Sequence, residues 1–397
     1  MLTPEQDLIL RCARSHLNPG ERDTVHKALC ADPDWHAVLQ MAAWHGTLPL
    51  LYDYLYEIAP EDTPLDRPVS PPAEVMNQLG IDSRVTVQEN LYQTGQLIRL
   101  LRRFEECGIR ILPFKGPTLA LLAFGGLSRR PFCDLDLLVE PSRVFEARDL
   151  LFEMGYRYEM PLSASEEAAY RRYHYHLRFV SENPASLIEL HWRATPAYFG
   201  PSPRFTELWD RRQLVPMGGV LSPTFGDEDL ALYLCAHGAR HWWNRVGYIS
   251  SLSALIESGS ILDWPLLLHR ATDMGLRRVL LLGLMLARDL LGAALPSLIN
   301  EAIRSDGALP QLETRVRGWL FMGEPTPTGL LTGPRFHLAV RDRFIDRLAY
   351  LFRSVVTPTA ADWSFVSLPP TLVDLYFIVR PARLLNDAVR WLIDAWN

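Results

Sequence analysis

The sequence has few cysteines, and no two of them share a metal-binding or redox spacing. Among 397 residues there is no C-x-x-C, and the five cysteines lie far apart: Cys12, Cys30, Cys107, Cys133 and Cys235. An odd number of scattered cysteines indicates neither a disulfide framework nor a zinc ribbon. Thiols of this kind are typical of a reducing compartment, so we expect a cytoplasmic protein.

A basic excess is also missing from the chain. It has 40 Lys and Arg residues against 46 Asp and Glu residues, which gives a formal net charge of −6. A dedicated nucleic-acid-binding protein usually carries a basic excess. Local basic patches remain compatible with this balance, but it favours a small molecule, a peptide or a protein over nucleic acid as a partner.

Long uncharged apolar runs and two familiar catalytic loops are absent as well. The most apolar stretch, residues 279–299, contains Arg288, Asp289 and Pro296, whereas a transmembrane helix needs about 20 apolar residues with few charges. We therefore predict a buried core helix here and no membrane span. The sequence has no G-x-x-x-x-G-K-[ST] and no G-x-S-x-G, which argues against a Walker-type NTPase and a nucleophile-elbow hydrolase.

Helical patterns occupy both ends of the chain. Residues 1–58 and 73–107 show helical spacing, as does most of the chain after residue 223, and Thr3-Pro4-Glu5 resembles a capped helix start. Gly108 is expected to end the second segment. Loops are predicted over 59–72 and 323–333, and a turn over 182–184, from their proline, glycine and polar content.

Strand patterns mix with helical ones only between about residues 109 and 193. We predict strands over 109–114, 133–139, 174–180 and 187–192, with helices over 118–124 and 141–154 between them. Such mixing predicts an α+β protein. We divide the chain into a helical N-terminal region (1–90), an α+β core (91–200), a helical domain (201–300) and a C-terminal helical region (301–397).

Three acidic residues on two predicted strands form the strongest chemical signal. Side chains alternate along a strand, so Asp134 and Asp136 share one face while Leu135 and Leu137 can pack on a helix from the other. Paired carboxylates repel unless a positive charge lies between them, and Mg²⁺ prefers such oxygen ligands. If the strand carrying Glu189 is a neighbour, it completes a three-carboxylate metal site. The alternative is a polar, solvent-facing strand edge.

Basic residues and a glycine turn lie near these carboxylates in the sequence. Lys115-Gly116-Pro117 forms a turn whose backbone N–H groups can cradle phosphate, and Arg130 can neutralise a phosphate. Solvated surface charges are the alternative for Lys115 and Arg130. His191 shares a face with Glu189, so it either orients the carboxylate, contacts a phosphate or is a hydrogen-bonded core histidine.

Two further segments present histidines that could face the same cleft. His237 and His241 lie four residues apart on one helix face. They either bind a nucleotide in the cleft or form a packed structural pair. Zinc binding is the less favoured reading because H-E-x-x-H is absent. On the strand over 174–180, His174, His176 and Arg178 share a face that lines the cleft or meets solvent, with Tyr175 on the opposite face.

Together these segments resemble the family of uncharacterised nucleotidyltransferases, within the DNA polymerase β-like nucleotidyltransferase superfamily. The resemblance covers most of residues 90–300 and rests on Lys115-Gly116, Arg130, Asp134-Leu-Asp136-Leu-Leu-Val139 and Glu189-Leu-His191-Trp192. It implies a small mixed-sheet nucleotidyltransferase core embedded between helical N-terminal and C-terminal regions. It also implies an NTP substrate with Mg²⁺.

Two positions depart from the pattern of the relatives. Gly116-Pro117 stands where the superfamily usually has Gly-Ser or Gly-Gly. After Tyr248-Ile249 the family often carries Asp, whereas this chain has Ser250-Ser251. Both departures leave the three carboxylates intact.

The expected function is therefore Mg²⁺-dependent transfer of an NMP group, with AMP from ATP the expected group, to an acceptor that the sequence does not name. Asp134 and Asp136 would hold the metal, and Glu189 would complete the site and act as a general base. One alternative is a non-catalytic nucleotide sensor or scaffold, motivated by the altered glycine turn. Another is a toxin-like tRNA nucleotidyltransferase, which the acidic balance opposes.

Overall fold

In the computed structural model, the described residues are 2–15, 19–58, 71–181, 186–259, 262–322 and 332–396. The turn predicted over 182–184, and nearly all of the loops predicted over 59–72 and 323–333, lie outside these residues. Every helix within the described ranges is too short or too polar to cross a lipid bilayer.

The part of the chain that precedes the sheet is helical, as predicted. Its described residues form α1 (Pro4–Cys12), α2 (Pro19–Leu29), α3 (Trp35–His45), α4 (Leu48–Ile58) and α5 (Ala73–Glu106). The predicted capped start is confirmed, because the Thr3 hydroxyl accepts the Gln6 N–H while the Gln6 side chain accepts the Thr3 N–H. Helix α5 ends two residues before Gly108, which has a left-handed φ of 64°.

A five-stranded mixed sheet follows α5. Its strands are β1 (Ile111–Pro113), β2 (Asp134–Val139), β3 (Arg157–Tyr158), β4 (His176–Ser181) and β5 (Ser186–His191), with α6 (Gly116–Phe124), α7 (Val144–Glu153) and α8 (Ala164–Tyr173) between them. The spatial order is β1-β2-β5-β4-β3. Only β2 and β5 pair in parallel, and the other neighbours are antiparallel. The expected α+β fold with a mixed sheet is confirmed.

The two faces of this sheet have different partners. Leu135 and Leu137 of β2 are buried in a cluster with Leu100 and Phe104 of α5 and Leu151 of α7, as their alternation predicted. The opposite face of β2 carries Asp134 and Asp136. One face of the sheet is therefore an apolar core, and the other holds the carboxylates.

The helices that follow the sheet build most of a second, larger core. They are α9 (Phe205–Asp210), α10 (Asp227–Arg240), α11 (Val246–Glu257), α12 (Trp264–Asp273), α13 (Arg277–Leu291), α14 (Ser297–Ser305), α15 (Leu309–Leu320) and α16 (Thr332–Ala339). The chain continues through α17 (Phe344–Val356), α18 (Ala360–Phe365) and α19 (Tyr376–Trp396), and the last two pack with α8 in a small separate cluster. The apolar stretch predicted as a buried helix is α13, which packs against α10, α11 and α15. It ends at Leu291 because Gly292 caps it in a left-handed conformation.

The prediction that strands occur only between residues 109 and 193 is wrong. A two-stranded sheet, β6 (Gln213–Met217) with β7 (Val220–Thr224), follows α9. Pro216 and Pro223 weaken the strand pattern of these segments. The available signal was Gly218-Gly219, because both glycines adopt positive φ, 54° and 82°, as a tight hairpin turn requires.

The larger core draws on all four regions into which we divided the sequence. Its buried members include Leu8 of α1, Leu112 of β1, Leu232 of α10, Leu281 of α13 and Val340 after α16. The division into regions at residues 90, 200 and 300 stays a prediction.

His45 at the end of α3 joins the N-terminal helices to α11. Its ring is 1% exposed, and Nδ1 accepts the Val246 N–H at 3.3 Å. Burial, with Arg245 nearby, lowers the pKa of His45 to about 4. The folded protein therefore holds this histidine neutral over a pH range in which an unfolded histidine, with a pKa of about 6.5, is charged.

We predict that His45 makes stability fall on acidification. Its folded pKa lies below its unfolded pKa, so its contribution is complete above about pH 6.5 and is lost as pH falls towards 4. Between about pH 7.5 and about pH 5 the loss is roughly 2 kcal/mol of unfolding free energy. Urea denaturation should show a correspondingly smaller pH dependence for His45→Asn. His36→Asn, an exposed change on α3, should retain the wild-type pH dependence of the unfolding free energy. An equally reduced pH dependence in both variants would contradict this account.

Candidate active site

The parallel pairing of β2 with β5 brings two acidic residues side by side. Asp136 lies directly opposite Glu189 in the register of the two strands. Alternation along β5 then puts His191 on the same face as Glu189. The neighbouring strands that the sequence-based hypothesis required are therefore present.

Asp136, Glu189 and His191 form a compact group of potential metal ligands. His191 Nε2 lies 3.2 Å from Asp136 Oδ1 and 3.3 Å from Glu189 Oε2. One potential ligand atom from each residue falls within 4.8 Å of the others, and no other such group of three occurs among the described residues. The Asp136 side chain is fully buried, and that of Glu189 is 18% exposed.

Lys115 is a buried partner of this group rather than a solvated surface charge. Its Nζ lies 2.9 Å from Asp136 Oδ1. Strand β1 pairs with β2 through Pro113 and Leu137, so the chain leaves β1 beside Asp136. Lys115 is also the residue before α6, and the turn at Gly116 has a φ of 55°. The prediction that Lys115-Gly116 forms a turn near the carboxylates is confirmed.

The buried charges of the group are coupled. Burial opposes ionisation of Asp136, but Lys115 and His191 outweigh it and hold the pKa of this carboxyl far below its usual range. Burial likewise opposes ionisation of Glu189, but the His191 ring in contact with it lowers its pKa to about 2. Burial disfavours protonation of His191, yet the two carboxylates raise its pKa. The acidic side chains therefore stay ionised in the folded protein.

Asp134 lies beside this group but is not a member of it. It is partly exposed and lines the cavity in front of β2, two residues before Asp136 on the same strand face. Burial and the charge of Asp136 raise the pKa of Asp134. Asp134, the third carboxylate predicted for the metal site, therefore faces the same cavity as Glu189. The structure adds His191 to Asp136 and Glu189.

Strand β4 supplies further contacts to Glu189. The His176 ring stacks on that of His191 with centroids 5.0 Å apart, and Arg178 Nε lies 3.4 Å from Glu189 Oε1. Burial lowers the pKa of His176 to about 3, with His191 adding to the effect, so His176 is neutral. His176 and Arg178 share the predicted face, where both contact Glu189, and the Arg178 side chain is also exposed to solvent.

A cavity of about 520 Å³ opens in front of the carboxylates. It lies between the sheet, α3, α10 and α11, and its wall includes the predicted residues Lys115, Arg130, Asp134, Glu189, His237 and His241. Cavities of about 300–1,000 Å³ hold ligands of nucleotide size. Burial keeps the pKa of His237 well below its ordinary value and lowers that of His241 to about 3, so both are neutral hydrogen-bonding groups.

Arg130 presents unused hydrogen-bonding capacity at this cavity. Its Nε donates to the Ser251 hydroxyl at 3.3 Å, while its buried Nη1 has no hydrogen-bond partner among the described residues. A serine contacts the guanidinium without neutralising it, so Arg130 keeps a positive charge for an anion.

The sequence did not predict the tyrosine wall near Glu189. Tyr175, Tyr233 and Arg240 lie with Asp136 and Glu189 around one narrow space, and Arg240 donates a hydrogen bond to the Tyr175 hydroxyl. Tyr175 was expected on the other face of the strand over 174–180. Strand β4 begins only at His176, so strand alternation does not orient Tyr175.

A family model of uncharacterised nucleotidyltransferases matches residues 31–292, more than half of the chain. The chain belongs to the uncharacterised nucleotidyltransferase family. Its matched region contains the whole mixed sheet, with Asp134, Asp136, Glu189 and the Lys115 turn. No curated protein and no solved structure matches the chain. The family supports a general nucleotidyl transfer role and an NTP substrate.

We predict that Gly116 is required for the geometry beside Asp134. A Cβ added at Gly116 would lie 3.3 Å from the Asp134 carbonyl oxygen, whereas one at Gly125 would meet nothing within 4 Å. Both glycines have positive φ, 55° and 69°, so alanine at either position costs about 1 kcal/mol of backbone strain. Gly116→Ala should lose more unfolding free energy in urea than Gly125→Ala. Equal losses would show that the approach to Asp134 is not tight.

Proposed function

We propose that this nucleotidyltransferase-family protein transfers an NMP group, with AMP from ATP the first group to test, to an acceptor hydroxyl in a Mg²⁺-dependent reaction. The observation that carries the proposal is the buried Asp136 carboxylate beside Glu189 and His191, of which Glu189 also lines the cavity that contains Lys115 and Arg130. The five free cysteines support action in the reducing cytoplasm.

The residues present fit a divalent cation. Both Asp136 carboxylate oxygens are buried without a well-formed hydrogen bond among the described residues, although Lys115 and His191 lie near enough for charge pairing. Asp136 and Glu189 would hold Mg²⁺ together with Asp134, because carboxylate oxygens are its preferred ligands. When bound, the ion would neutralise phosphate charge. His191 would orient the two carboxylates by hydrogen bonding.

Positive and neutral donors around the cavity fit a triphosphate. Arg130 has an unpartnered buried nitrogen, and the Lys115-Gly116 turn opens α6 beside the carboxylates. Backbone N–H groups at such a helix start favour phosphate. His237 and His241 line the same wall and would donate hydrogen bonds to the nucleotide. These side chains would bind and position the NTP.

The chemistry asked of the protein is mainly positioning. The acceptor oxygen attacks the α-phosphorus, the bond from that phosphorus to the bridging oxygen of the β-phosphate breaks, and pyrophosphate leaves. Glu189 accepts the acceptor's proton, since His191 keeps its carboxylate ionised. Lys115 and Arg130 hold phosphate oxygens, as charge neutralisation and orientation carry most of a phosphoryl transfer.

We predict that Glu189→Gln reduces pyrophosphate release by roughly 100-fold or more, the usual effect of losing a general base. The measurement is release from each of the four NTPs with Mg²⁺ and a cell extract as acceptor source. Asp136→Asn should be as damaging, but it also leaves Lys115 buried beside a neutral group, so the less buried Glu189 gives the cleaner test. Asp210→Asn, exposed on α9, is the matched control.

Wild-type turnover in Glu189→Gln and Asp136→Asn would contradict the assignment. Metal-dependent NTP binding without any pyrophosphate release would instead favour the sensor or scaffold. Tight, salt-sensitive binding of tRNA would favour the toxin-like alternative.

We also predict that Arg130→Met weakens NTP binding by roughly 10- to 100-fold, the loss expected for a charged hydrogen bond to phosphate. Arg129→Met removes the adjacent arginine, which lines the same cavity but already pairs with Asp53 at 3.0 Å and donates to the Ser15 carbonyl at 3.2 Å. It should therefore affect stability more than NTP affinity. Calorimetric titration with Mg²⁺ and ATP measures both variants. Equal loss of affinity in the two would show that only the overall charge of the cavity matters.

A further inference from the structure

A second cavity, of about 420 Å³, lies on the other side of the site and takes no part in the mechanism above. Seven aromatic rings provide much of its wall: Tyr173, His174, Tyr175, Tyr198, Trp242, His337 and Tyr350. They come from the segments before β4 and after β5, from the end of α10, and from α16 and α17. We call this space the aromatic cavity.

The aromatic cavity and the carboxylates share a wall. Tyr175 lines the aromatic cavity and also the narrow space that contains Asp136, Glu189 and His191. Its ring centroid lies 5.5 Å from that of His191. On the other side, Arg240 lines the cavity assigned to the NTP and donates to the Tyr175 hydroxyl. One hydrogen-bonded pair of side chains therefore separates the two cavities beside Glu189.

Three polar side chains of the aromatic cavity, Tyr173, His337 and Tyr350, already have hydrogen-bond partners in the protein. The Tyr173 hydroxyl donates to the Val373 carbonyl at 3.1 Å, and the Tyr350 hydroxyl lies 3.1 Å from His337 Nδ1. Burial lowers the pKa of His337 to about 4, with Arg341 adding to the effect, so its ring is neutral. Such a wall offers rings together with two buried donors that have no hydrogen-bond partner among the described residues, the Trp242 indole nitrogen and the Ser354 hydroxyl.

The charged residues at the rim further restrict which ligands the aromatic cavity can bind. Among the described residues that line the aromatic cavity there is no carboxylate. Arg380 pairs with Asp362 at 3.2 Å, so its charge is balanced. Arg353 is exposed and donates to the Ala197 carbonyl at 3.3 Å. The aromatic cavity therefore offers no binding site for a triphosphate, but it suits an apolar molecule that is neutral or carries one negative charge.

We propose that the aromatic cavity binds the acceptor, a small aromatic molecule that is neutral or carries one negative charge and presents a hydroxyl past Tyr175 towards Glu189. This proposal rests on the proposed nucleotidyl transfer. The apolar body packs among the rings, and Tyr175 moves with Arg240 to admit the hydroxyl. The hydroxyl oxygen forms the new bond to the α-phosphorus, its proton passes to Glu189, and pyrophosphate is the leaving group.

The test compares two tryptophan substitutions at the end of α17. Thr357 lines the aromatic cavity, so Thr357→Trp fills it, whereas Val355 is 44% exposed, lies outside that wall, and gives a control of equal size in Val355→Trp. The probes are phenol, 2-naphthol and 4-hydroxyphenylacetate, titrated calorimetrically into the full chain. We expect wild type and Val355→Trp to bind 2-naphthol alike and Thr357→Trp to bind it at least roughly tenfold more weakly.

Binding of Mg²⁺ and ATP should be the same in all three proteins, which also shows that Thr357→Trp is folded. Failure of all three probes to bind the wild type, or equal binding to both tryptophan variants, would overturn the proposal while leaving the NTP site intact. Competition between ATP and 2-naphthol would also overturn it, because the cavity would then hold the nucleotide base.

Turnover separates this proposal from the one on which it rests. Faster pyrophosphate release with a probe hydroxyl, lost in Thr357→Trp and kept in Val355→Trp, would support the acceptor role. A different result is that Thr357→Trp weakens probe binding and Val355→Trp does not, while the protein binds ATP but releases no pyrophosphate with any extract. That result would contradict nucleotidyl transfer and with it the acceptor role.

Discussion

The burial of the Asp136 carboxylate constrains everything around it. A buried carboxylate without partners costs several kcal/mol, and here Lys115 and His191 offset that cost from either side. Those two residues can reach Asp136 only if β1 and β5 flank β2, which is the order the sheet adopts. The strand order, the turn at Gly116 and the neighbouring carboxylate of Glu189 therefore depend on one another.

The two faces of the sheet have different roles, one in the apolar core and one in the candidate active site. On one face, Leu135 and Leu137 pack with α5 and α7 in a wholly apolar cluster. On the other, the carboxylates meet the buried polar ends of α10 and α11, where His237, Arg240 and Ser251 lie. Helices from far along the chain thus complete a site that the sheet alone leaves open, and the family match that ends at residue 292 includes them.

Local patterns were enough to predict most of the elements and the strand face of each acidic residue. The period-2 alternation of β2 and β5 reports which side chains share a face whatever lies beside the strand. The hairpin of β6 and β7 was not predicted because its prolines mask the strand pattern. Tyr175 was assigned to the wrong face because it lies just before β4, which begins at His176, so strand alternation does not orient its side chain.

The sequence by itself determined the α+β class, the carboxylates of β2 and β5 and the glycine turn, since these follow from nearest-neighbour geometry along the chain. Only the tertiary structure decided that Lys115 is buried against Asp136, that His191 joins Asp136 and Glu189, and that Tyr175 and Arg240 separate two cavities. Those facts depend on which strands and helices become neighbours. Contacts between residues dozens of positions apart are set by packing of the whole core, which no local pattern encodes.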